Sequence, residues 1–334
     1  MTEFLDTCYR AIRGQASSIP ATIRTVREDD LKPLSGRQLI MLLGCGDSYA
    51  VAEYGRWALL TAGFNAISVS PPELQRLHVS RDSVVIGVSA SGRTLATVEA
   101  LEFAKSGGAM TIALTDNPQG KMAQLADRVW QTSSGLKSYE ISPSSTTTSA
   151  LTYLLALAAK HPTADQSKLQ HDIGILESKG DEIVRWSERQ GIAISKLIET
   201  GKVLYLISDG PNYTAAQIGM MKLDEFSVVK GIAALREEFQ HHYNMSIDKD
   251  ERAVVISDYP VTPKDERFLM TLRTKLGMRI YALNTDDGLG LLTPLAQTIP
   301  NTIALQVASY YAVLKNDPNK QGFRQPHAGA FKIY

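Results

Sequence analysis

Three hydroxyl side chains and a glycine lie together in one short stretch, Ser89-Ala90-Ser91-Gly92-Arg93-Thr94. An apolar run typical of a buried strand precedes this stretch, and a helical pattern begins directly after it. A turn of this kind offers hydroxyl donors, backbone N–H groups and the positive end of a helix dipole to an anion. The candidate anion ligands are Ser89, Ser91, Gly92 and Thr94. A helix cap without any ligand has the same composition, and that alternative stays open.

A second loop with the same kind of placement reads Gly44-Cys45-Gly46-Asp47-Ser48. Its glycines and Ser48 suit close contact between the backbone and a ligand, although an ordinary glycine turn would look the same. Tyr49 occupies the place of the third glycine in a dinucleotide-binding fingerprint, and the signature of a P-loop is missing. We therefore expect a ligand loop here, but no nucleotide cofactor.

The charge balance limits the kind of partner. Among 334 residues, 35 Lys and Arg stand against 35 Asp and Glu, so the formal net charge is zero. Nucleic-acid binding normally needs a surplus of cations to displace counterions, which argues against a polyanionic partner. A small anion must then be held by a local site.

The cysteine count, the N-terminal residues and the longest apolar stretch indicate where the protein is located. Two cysteines, Cys8 and Cys45, support neither a disulfide framework nor a four-ligand zinc site, which favours a reducing cytosol. Residues 1–13 carry charges and lack the apolar core of a signal peptide. The longest apolar stretch, 150–159, is about half of what a bilayer span needs, so it predicts a buried core helix. We expect a soluble, cytoplasmic protein.

The two halves of the sequence repeat one pattern. An apolar run precedes Gly46 and Tyr49, and a matching apolar run precedes Gly210 and Tyr213. Gly46 and Gly210 are 164 residues apart, as are Tyr49 and Tyr213. Strand-like runs alternate with helical patterns in both halves, which indicates βαβ units and parallel sheets. We predict an α/β fold of two tandem doubly wound parallel-sheet (Rossmann-like) domains, each with three α/β/α layers.

The predicted division follows the repeat. It consists of a helical segment at 1–35, a first domain at 36–160, a helical linker at 161–200 and a second domain at 201–334. The strands predicted in the first domain are 39–43, 67–70, 84–88, 111–114 and 129–131. At the place of the hydroxyl loop, the second domain has Ser257-Asp258-Tyr259-Pro260-Val261-Thr262. Because only one copy keeps the hydroxyl pattern, we expect one phosphate-type site per chain, in the first half.

At these residues the chain resembles the sugar isomerase (SIS) family of tandem phosphosugar-binding domains, over about residues 36–334. Its relatives include the isomerase half of glutamine–fructose-6-phosphate aminotransferase and the fructosamine-6-phosphate deglycases. The resemblance implies that Ser89, Ser91 and Thr94, with Ser48, hold a substrate phosphate. The candidate substrate-binding residues also include Gly46, Asp47, Gly92 and Lys222. Asp47 stands where the aminotransferase domain commonly has Thr.

The same resemblance implies two catalytic residues in the second half. Residues 222–241 align without gaps to the aminotransferase isomerase domain. By that match Glu225 is the base that moves a proton between C1 and C2 of the sugar, and His241 is the acid/base that opens the ring. A carboxylate and a group with a near-neutral pKa are what this chemistry needs. In relatives the His reaches in from the neighbouring subunit, which implies a homodimer with shared sites.

Several reactions fit this set of residues. The Phe that follows each Glu in Glu225-Phe226 and Glu238-Phe239, and a C-terminus with Arg324, Gly329 and a final Tyr334, resemble deglycases. The favoured reaction is thus fructosamine 6-phosphate deglycation, and glucosamine-6-phosphate deamination or plain isomerisation is the alternative. We expect no glutamine hydrolysis, because the N-terminal Cys nucleophile is missing. A non-catalytic sugar-phosphate sensor is the alternative from another class.

No cofactor or metal is expected. His241 and His242 are adjacent rather than four residues apart, and no carboxylate–His spacing typical of a ligand set accompanies them. The expected partner is a small-molecule sugar phosphate, with neither nucleic acid nor membrane involved.

Overall fold

The computed structural model describes residues 2–135, 141, 145–163, 165–286 and 288–334. These residues divide into two compact units. One unit is built mainly from 14–135, 145–180 and Gln325–Tyr334, and we call it the N-terminal unit. The other is built mainly from 2–13 and Asp181–Arg324, and we call it the C-terminal unit.

The N-terminal unit contains a five-stranded sheet in which every strand pair is parallel. Its strands are β1 (Leu39–Leu43), β2 (Ala66–Val69), β3 (Ser83–Val88), β4 (Met110–Thr115) and β5 (Arg128–Gln131). The order across the sheet is β2-β1-β3-β4-β5. The chain leaves β1 and β3 toward opposite sides, so their carboxyl ends flank the switch point where open α/β sheets bind ligands.

Helices cover both faces of this sheet because its strand residues are apolar on both sides. They are α2 (Asp47–Thr61), α3 (Leu95–Ser106), α4 (Lys121–Leu125), α5 (Ser145–Ala159) and α6 (Gln166–Ser178). Met41 on one face belongs to a buried cluster with Leu101 of α3. Leu42 on the other face lies against Gly55 of α2, where Leu154 of α5 also packs. The predicted three layers are confirmed here.

The C-terminal unit has a four-stranded parallel sheet in the order β7-β6-β8-β9. The strands are β6 (Leu204–Ser208), β7 (Gly231–Leu235), β8 (Arg252–Ile256) and β9 (Arg279–Leu283). The helices are α7 (Gly180–Ser195), α8 (Tyr213–Lys222), α9 (Arg236–His241), α10 (Pro263–Thr274) and α11 (Pro294–Asn316). Ile207 faces a cluster with Phe268 of α10, whereas Leu206 faces Gly219 of α8. The second predicted doubly wound unit is therefore confirmed, with one strand fewer than the first.

The ends of the chain do not follow the linear division. The first helix, α1 (Glu3–Ile23), is continuous, yet its residues up to Arg13 group with the C-terminal unit and the rest with the N-terminal unit. Phe4 packs on Phe226, and Tyr9 stacks on Tyr310 of α11 with ring centroids 5.4 Å apart. Residues 325–334, predicted in the second domain, group instead with the N-terminal unit. The predicted linker contains α6 and α7, which fall in different units.

The apolar stretch 150–159 lies inside α5, every residue of which is buried. The prediction of a core helix is thus confirmed. Across the residues that the structure describes, no helix is long and apolar enough to cross a membrane.

Candidate functional site

The hydroxyl loop connects β3 to α3 at the switch point of the N-terminal sheet. Ser89 and Ser91 are buried, and Ser89 Oγ lies 3.1 Å from Thr94 Oγ1. Thr94 is the N-cap residue of α3, but its side chain makes no capping hydrogen bond. Ser91 Oγ accepts a hydrogen bond from the backbone N–H of Arg93 at 3.3 Å. The helix-cap alternative therefore does not account for Thr94, whose hydroxyl lies beside that of Ser89.

Gly92 allows this loop to pack closely against the turn after β4. Its φ of +65° lies in the left-handed region, and a Cβ at this position would lie 3.2 Å from Gly120 Cα. The carbonyl of Gly92 accepts a hydrogen bond from Met122 N–H at 2.9 Å. Asn117 Nδ2 donates to the carbonyl of Ser91 at 3.0 Å. The loop is thus held by its own unit, which is what a preorganised anion site requires.

The glycine loop after β1 lies next to the hydroxyl loop in the same unit. Cys45 Sγ is 3.8 Å from Thr97 Oγ1 in the first turn of α3. Gly46 has a φ of +57° and is followed by Asp47 and Ser48, which begin α2. Asp47 Oδ2 accepts a hydrogen bond from Thr147 Oγ1 of α5 at 3.0 Å. Because a carboxylate only accepts hydrogen bonds, Asp47 suits sugar hydroxyls rather than a phosphate.

The C-terminal tail reaches the start of α3, which sequence reasoning did not predict. The Leu95 N–H, one of the first in the helix, donates to the carbonyl of Ile333 at 3.1 Å. The guanidinium carbon of Arg93 lies 5.8 Å from the ring centroid of Tyr334. Lys332 precedes Ile333, so its backbone also lies near this helix start. The resemblance of the tail to deglycases was the one available signal, and it did not show where the tail lies.

In the C-terminal unit, Lys222 and Glu225 form an ion pair between Nζ and Oε1. The Lys222 side chain is 3% exposed, whereas that of Glu225 is 43% exposed. Glu225 lies in a π-helical turn, Leu223–Ser227, that follows α8 directly. The helical pattern of the sequence runs on to residue 229 and does not indicate this turn. The wider turn presents the Glu225 carboxylate to solvent while the lysine stays in the core.

Two features hold this turn in place. Ser227 Oγ lies 2.6 Å from Ser309 Oγ on α11, and Ser309 Oγ donates to the carbonyl of Lys222 at 2.7 Å. The turn ends at Val228, whose φ of +55° is strained for a β-branched residue. Single-turn π-helices and strained residues are both frequent at functional sites.

Asp224 adjoins the ion pair. Its Oδ1 accepts a hydrogen bond from Gly231 N–H at 3.0 Å. Burial raises the pKa of Asp224 above its ordinary value, and the negative charge of Glu225 adds to the increase. The structure thus brings Lys222, Glu225 and Asp224 together.

His241 is the last residue of α9 and is exposed over 72% of its side chain. Its Nε2 lies 3.3 Å from Glu237 Oε1, one turn earlier in the same helix. The neighbouring His242 packs its ring against Tyr243, with centroids 4.2 Å apart. The carboxylate that His241 contacts is therefore in its own helix and is not that of Glu225.

The edge of the C-terminal sheet that corresponds to the hydroxyl loop is occupied by the unit's own charges. Arg236 forms ion pairs with Asp265 and, at 3.2 Å, with Asp209. The side chain of Thr262 caps α10 in a capping box with Asp265. Burial raises the pKa of Asp258, which accepts a hydrogen bond from Asn212 at 2.8 Å. An anion would meet carboxylates here, in contrast to the neutral donors of the hydroxyl loop.

Within the described ranges, no three His, Cys, Asp or Glu side chains form a group that could hold a metal ion.

Comparisons with known proteins identify a domain family and several relatives. Residues 34–160 match the SIS domain family. The chain is 22% identical over 319 residues to the glutamine–fructose-6-phosphate aminotransferase of Sulfurisphaera tokodaii, which covers 93% of this chain and 53% of that protein. The chain thus spans about half the length of the curated relatives it matches.

Solved structures share the fold. The C-terminal domain of glucosamine–fructose-6-phosphate aminotransferase from Francisella tularensis superposes with a TM-score of 0.76 at 17% identity, over 92% of this chain and 96% of that one. A glucosamine-6-phosphate deaminase from Thermotoga maritima gives a TM-score of 0.69 at 15% identity, over 93% and 95%.

Proposed function

Residues 34–160 are a SIS domain, and on that premise we propose that the chain is a cytoplasmic phosphosugar enzyme. Its reaction transfers a proton between C1 and C2 of an amino-sugar or ketosamine 6-phosphate. Two features of the chain carry the proposal together. The first is the hydroxyl loop at a switch point, whose Thr94 side chain makes no capping hydrogen bond. The second is the Lys222–Glu225 ion pair on a π-helical turn. The first is suited to a phosphate, and the second to a proton transfer.

The phosphate would be held by neutral donors. Ser89, Ser91 and Thr94 supply hydroxyls, and Ser48 adds one at the start of α2. Gly46 and Gly92 let the backbone approach the phosphate oxygens, since a Cβ is absent from both. Such a site suits one phosphate group, which is consistent with the zero net charge of the chain. Asp47 would accept hydrogen bonds from the sugar hydroxyls.

Glu225 would act as the base. Lys222 Nζ holds its Oε1, and we assign the proton transfer between C1 and C2 to this carboxylate. The partial exposure of the carboxylate gives a substrate access to it, and the buried lysine fixes its orientation. Lys222 is thus a positioning residue in this scheme.

His241 would open the sugar ring. Its imidazole is exposed at the end of a short helix and can serve a substrate that is not bound by its own helix. We propose a homodimer in which His241 of one protomer completes the site of the other. The Glu237 carboxylate, 3.3 Å from Nε2, would orient the imidazole.

Among the reactions of this class, we propose deglycation of a fructosamine 6-phosphate, in which water and the substrate give a free amine and glucose 6-phosphate. Phe226 and Phe239, which resemble the deglycase pattern, are both fully buried and serve packing. The preference for deglycation therefore rests on the C-terminal tail, whose Ile333 and Tyr334 contact the helix that begins at the phosphate loop.

Incubation with fructose-amino acid 6-phosphates and, separately, glucosamine 6-phosphate, followed by NMR, tests the proposal. We expect release of the amino acid together with glucose 6-phosphate. Ammonia and fructose 6-phosphate from glucosamine 6-phosphate would instead assign deamination. Binding of these compounds without turnover would assign a sensor, and the absence of both binding and turnover would exclude a phosphosugar protein.

A further inference from the structure

The π-helical turn that carries Glu225 separates two residues that an α-helix would keep on one face. Residues three positions apart are neighbours on an α-helix, so Lys222 and Glu225 would there be similarly buried. Here the Lys222 side chain is 3% exposed and that of Glu225 is 43% exposed, although the two are ion-paired. The backbone N–H groups of Val228 and Val229 both donate to the carbonyl of Leu223, rather than to carbonyls four residues earlier. The direction of the Glu225 carboxylate therefore depends on this wider turn.

One serine of another helix, Ser309 of α11, binds both ends of the turn. Ser309 is fully buried, and its Oγ donates at 2.7 Å to the carbonyl of Lys222, which directly precedes the turn. Ser227 is the last residue of the turn, and its Oγ lies 2.6 Å from Ser309 Oγ. A hydroxyl carries one hydrogen, and that of Ser309 is used on Lys222, so Ser227 is the donor between the two hydroxyls. The two serines thus form a directed chain of hydrogen bonds across the turn.

α11 shapes the turn at a second point as well. Phe226 is fully buried and stacks on Tyr310, the residue after Ser309, with an interplanar angle of 11°. π-helical turns are rare interruptions of α-helices, so loss of a bond that spans the turn should favour ordinary helical spacing. An alanine at position 309 would remove a donor from the buried carbonyl of Lys222 and leave the aromatic packing in place.

We propose that Ser309 is a positioning residue for the proton transfer. Through the carbonyl of Lys222 and the hydroxyl of Ser227 it fixes the span of the turn, and the span fixes where the Glu225 carboxylate lies. Ser309 itself touches no reacting atom. The effect on turnover rests on the proposed function of Glu225 as the base, whereas the hold on the turn does not.

Kinetics of Ser309→Ala, with Ser187→Ala as the matched control, test the proposal. Ser187 is also fully buried, and its Oγ donates at 2.9 Å to the carbonyl of Pro300, nine residues before Ser309 on α11. Both variants lose one buried hydrogen bond between helices, so both should lower the urea midpoint to a similar extent. Only Ser309→Ala should lower kcat, by at least about tenfold, because a displaced base is less effective.

Two further measurements separate positioning from a general loss of stability. Affinity of Ser309→Ala for a non-reactive sugar phosphate should stay within about threefold, because no residue of the hydroxyl loop is altered. Ser227→Ala should also lower kcat, and Ser227→Thr, which keeps the hydroxyl, should restore it. Equal kcat in Ser309→Ala and the unchanged protein, or equal losses in Ser309→Ala and Ser187→Ala, would overturn the positioning role.

Hydrogen exchange, followed by mass spectrometry on the full chain, tests the hold on the turn without any substrate. Backbone amides of residues 223–229 should exchange at least about tenfold faster in Ser309→Ala than in Ser187→Ala. Equal exchange in these two variants would overturn the inference. Full turnover by Glu225→Gln, or no turnover of any sugar phosphate by the unchanged protein, would instead refute the proposed function. In that case the exchange rates alone decide whether Ser309 holds the turn.

Discussion

Lys222 donates from an almost fully buried Nζ to Oε1 of the half-exposed Glu225, three residues further along the chain. The cation is fixed by the core, and the carboxylate is fixed by the cation. This arrangement gives Glu225 a defined direction even though it lies at the surface of its unit.

Glu225→Gln should abolish turnover while leaving substrate binding intact. The amide keeps the size of the side chain but cannot accept a proton, so the rate should fall by about 10²-fold or more. Affinity for a non-reactive sugar phosphate, measured by calorimetry, should change less than about twofold, because the amide keeps the size of the side chain and a hydrogen-bonding oxygen. Glu266→Gln, an exposed carboxylate of α10, is the matched control. Unchanged turnover in the Glu225 variant would exclude this residue as the base.

Removing hydroxyls from the phosphate loop should weaken substrate binding, in contrast to the Glu225 variant. Ser89→Ala with Thr94→Val deletes two donors that lie 3.1 Å apart. Each lost hydrogen bond to a charged group is worth about 1.5–3 kcal/mol, so affinity for a sugar phosphate should fall by at least about tenfold. Ser257→Ala, in the corresponding loop of the C-terminal sheet, should leave affinity unchanged. Equal affinities in the two variants would rule out the loop as the phosphate site.

Asp265 and Asp258 are two carboxylates near Arg236, and we call these three residues the Arg236 network. Removing the charge of each carboxylate should change the stability of the protein with pH in opposite directions. Burial acts to raise the pKa of Asp265, but hydrogen bonds from Thr262 and Arg236 outweigh it, and the net pKa lies below its ordinary value. A lowered folded-state pKa contributes stability above the unfolded value of about 4, and this stability is lost as pH falls through the folded value. The destabilisation by Asp265→Asn should therefore shrink between about pH 5 and pH 2.

Asp258 provides the contrast, because burial raises its pKa. Its charged form opposes folding at neutral pH, so Asp258→Asn should stabilise the protein there, and the gain should disappear as pH falls through the unfolded-state value near 4. Urea denaturation of both variants at several pH values measures these differences. A parallel pH dependence in the two variants would contradict this account of the network.

Val228→Gly should stabilise the protein. The left-handed conformation costs a residue with a Cβ about 1–2 kcal/mol, whereas glycine adds only about 0.5–1 kcal/mol of unfolded-state entropy. We expect a net gain of up to about 1 kcal/mol in urea denaturation. The neighbouring Val229 is buried, so Val229→Gly should destabilise by about 2 kcal/mol or more. A loss of similar size in both variants would show that Val228 is not strained.

Local pattern was sufficient to predict the strands of the first sheet. The strand Leu39–Leu43 begins and ends where its apolar run does, and the positions of both ligand loops follow from parallel strand order. The π-helical turn could not be predicted, because it depends on Ser309, 82 residues away from Ser227. The position of the C-terminal tail against α3 could not be predicted either. Residues 325–334 have no periodic pattern, and Ile333 contacts α3 through a backbone carbonyl.

Because the residues of α1 divide between the two units, the chain is not separable into two independent halves. A cut near residue 180 would yield two fragments, neither of them complete. The first would carry Phe4 and Tyr9 without their packing partners, and the second would leave Phe226 and Tyr310 uncovered in water. The first would also lack residues 325–334. Each fragment thus lacks residues that complete the core of a unit, and these residues are in the other fragment. Only an unbroken polypeptide, or two fragments that reassociate, can complete both cores.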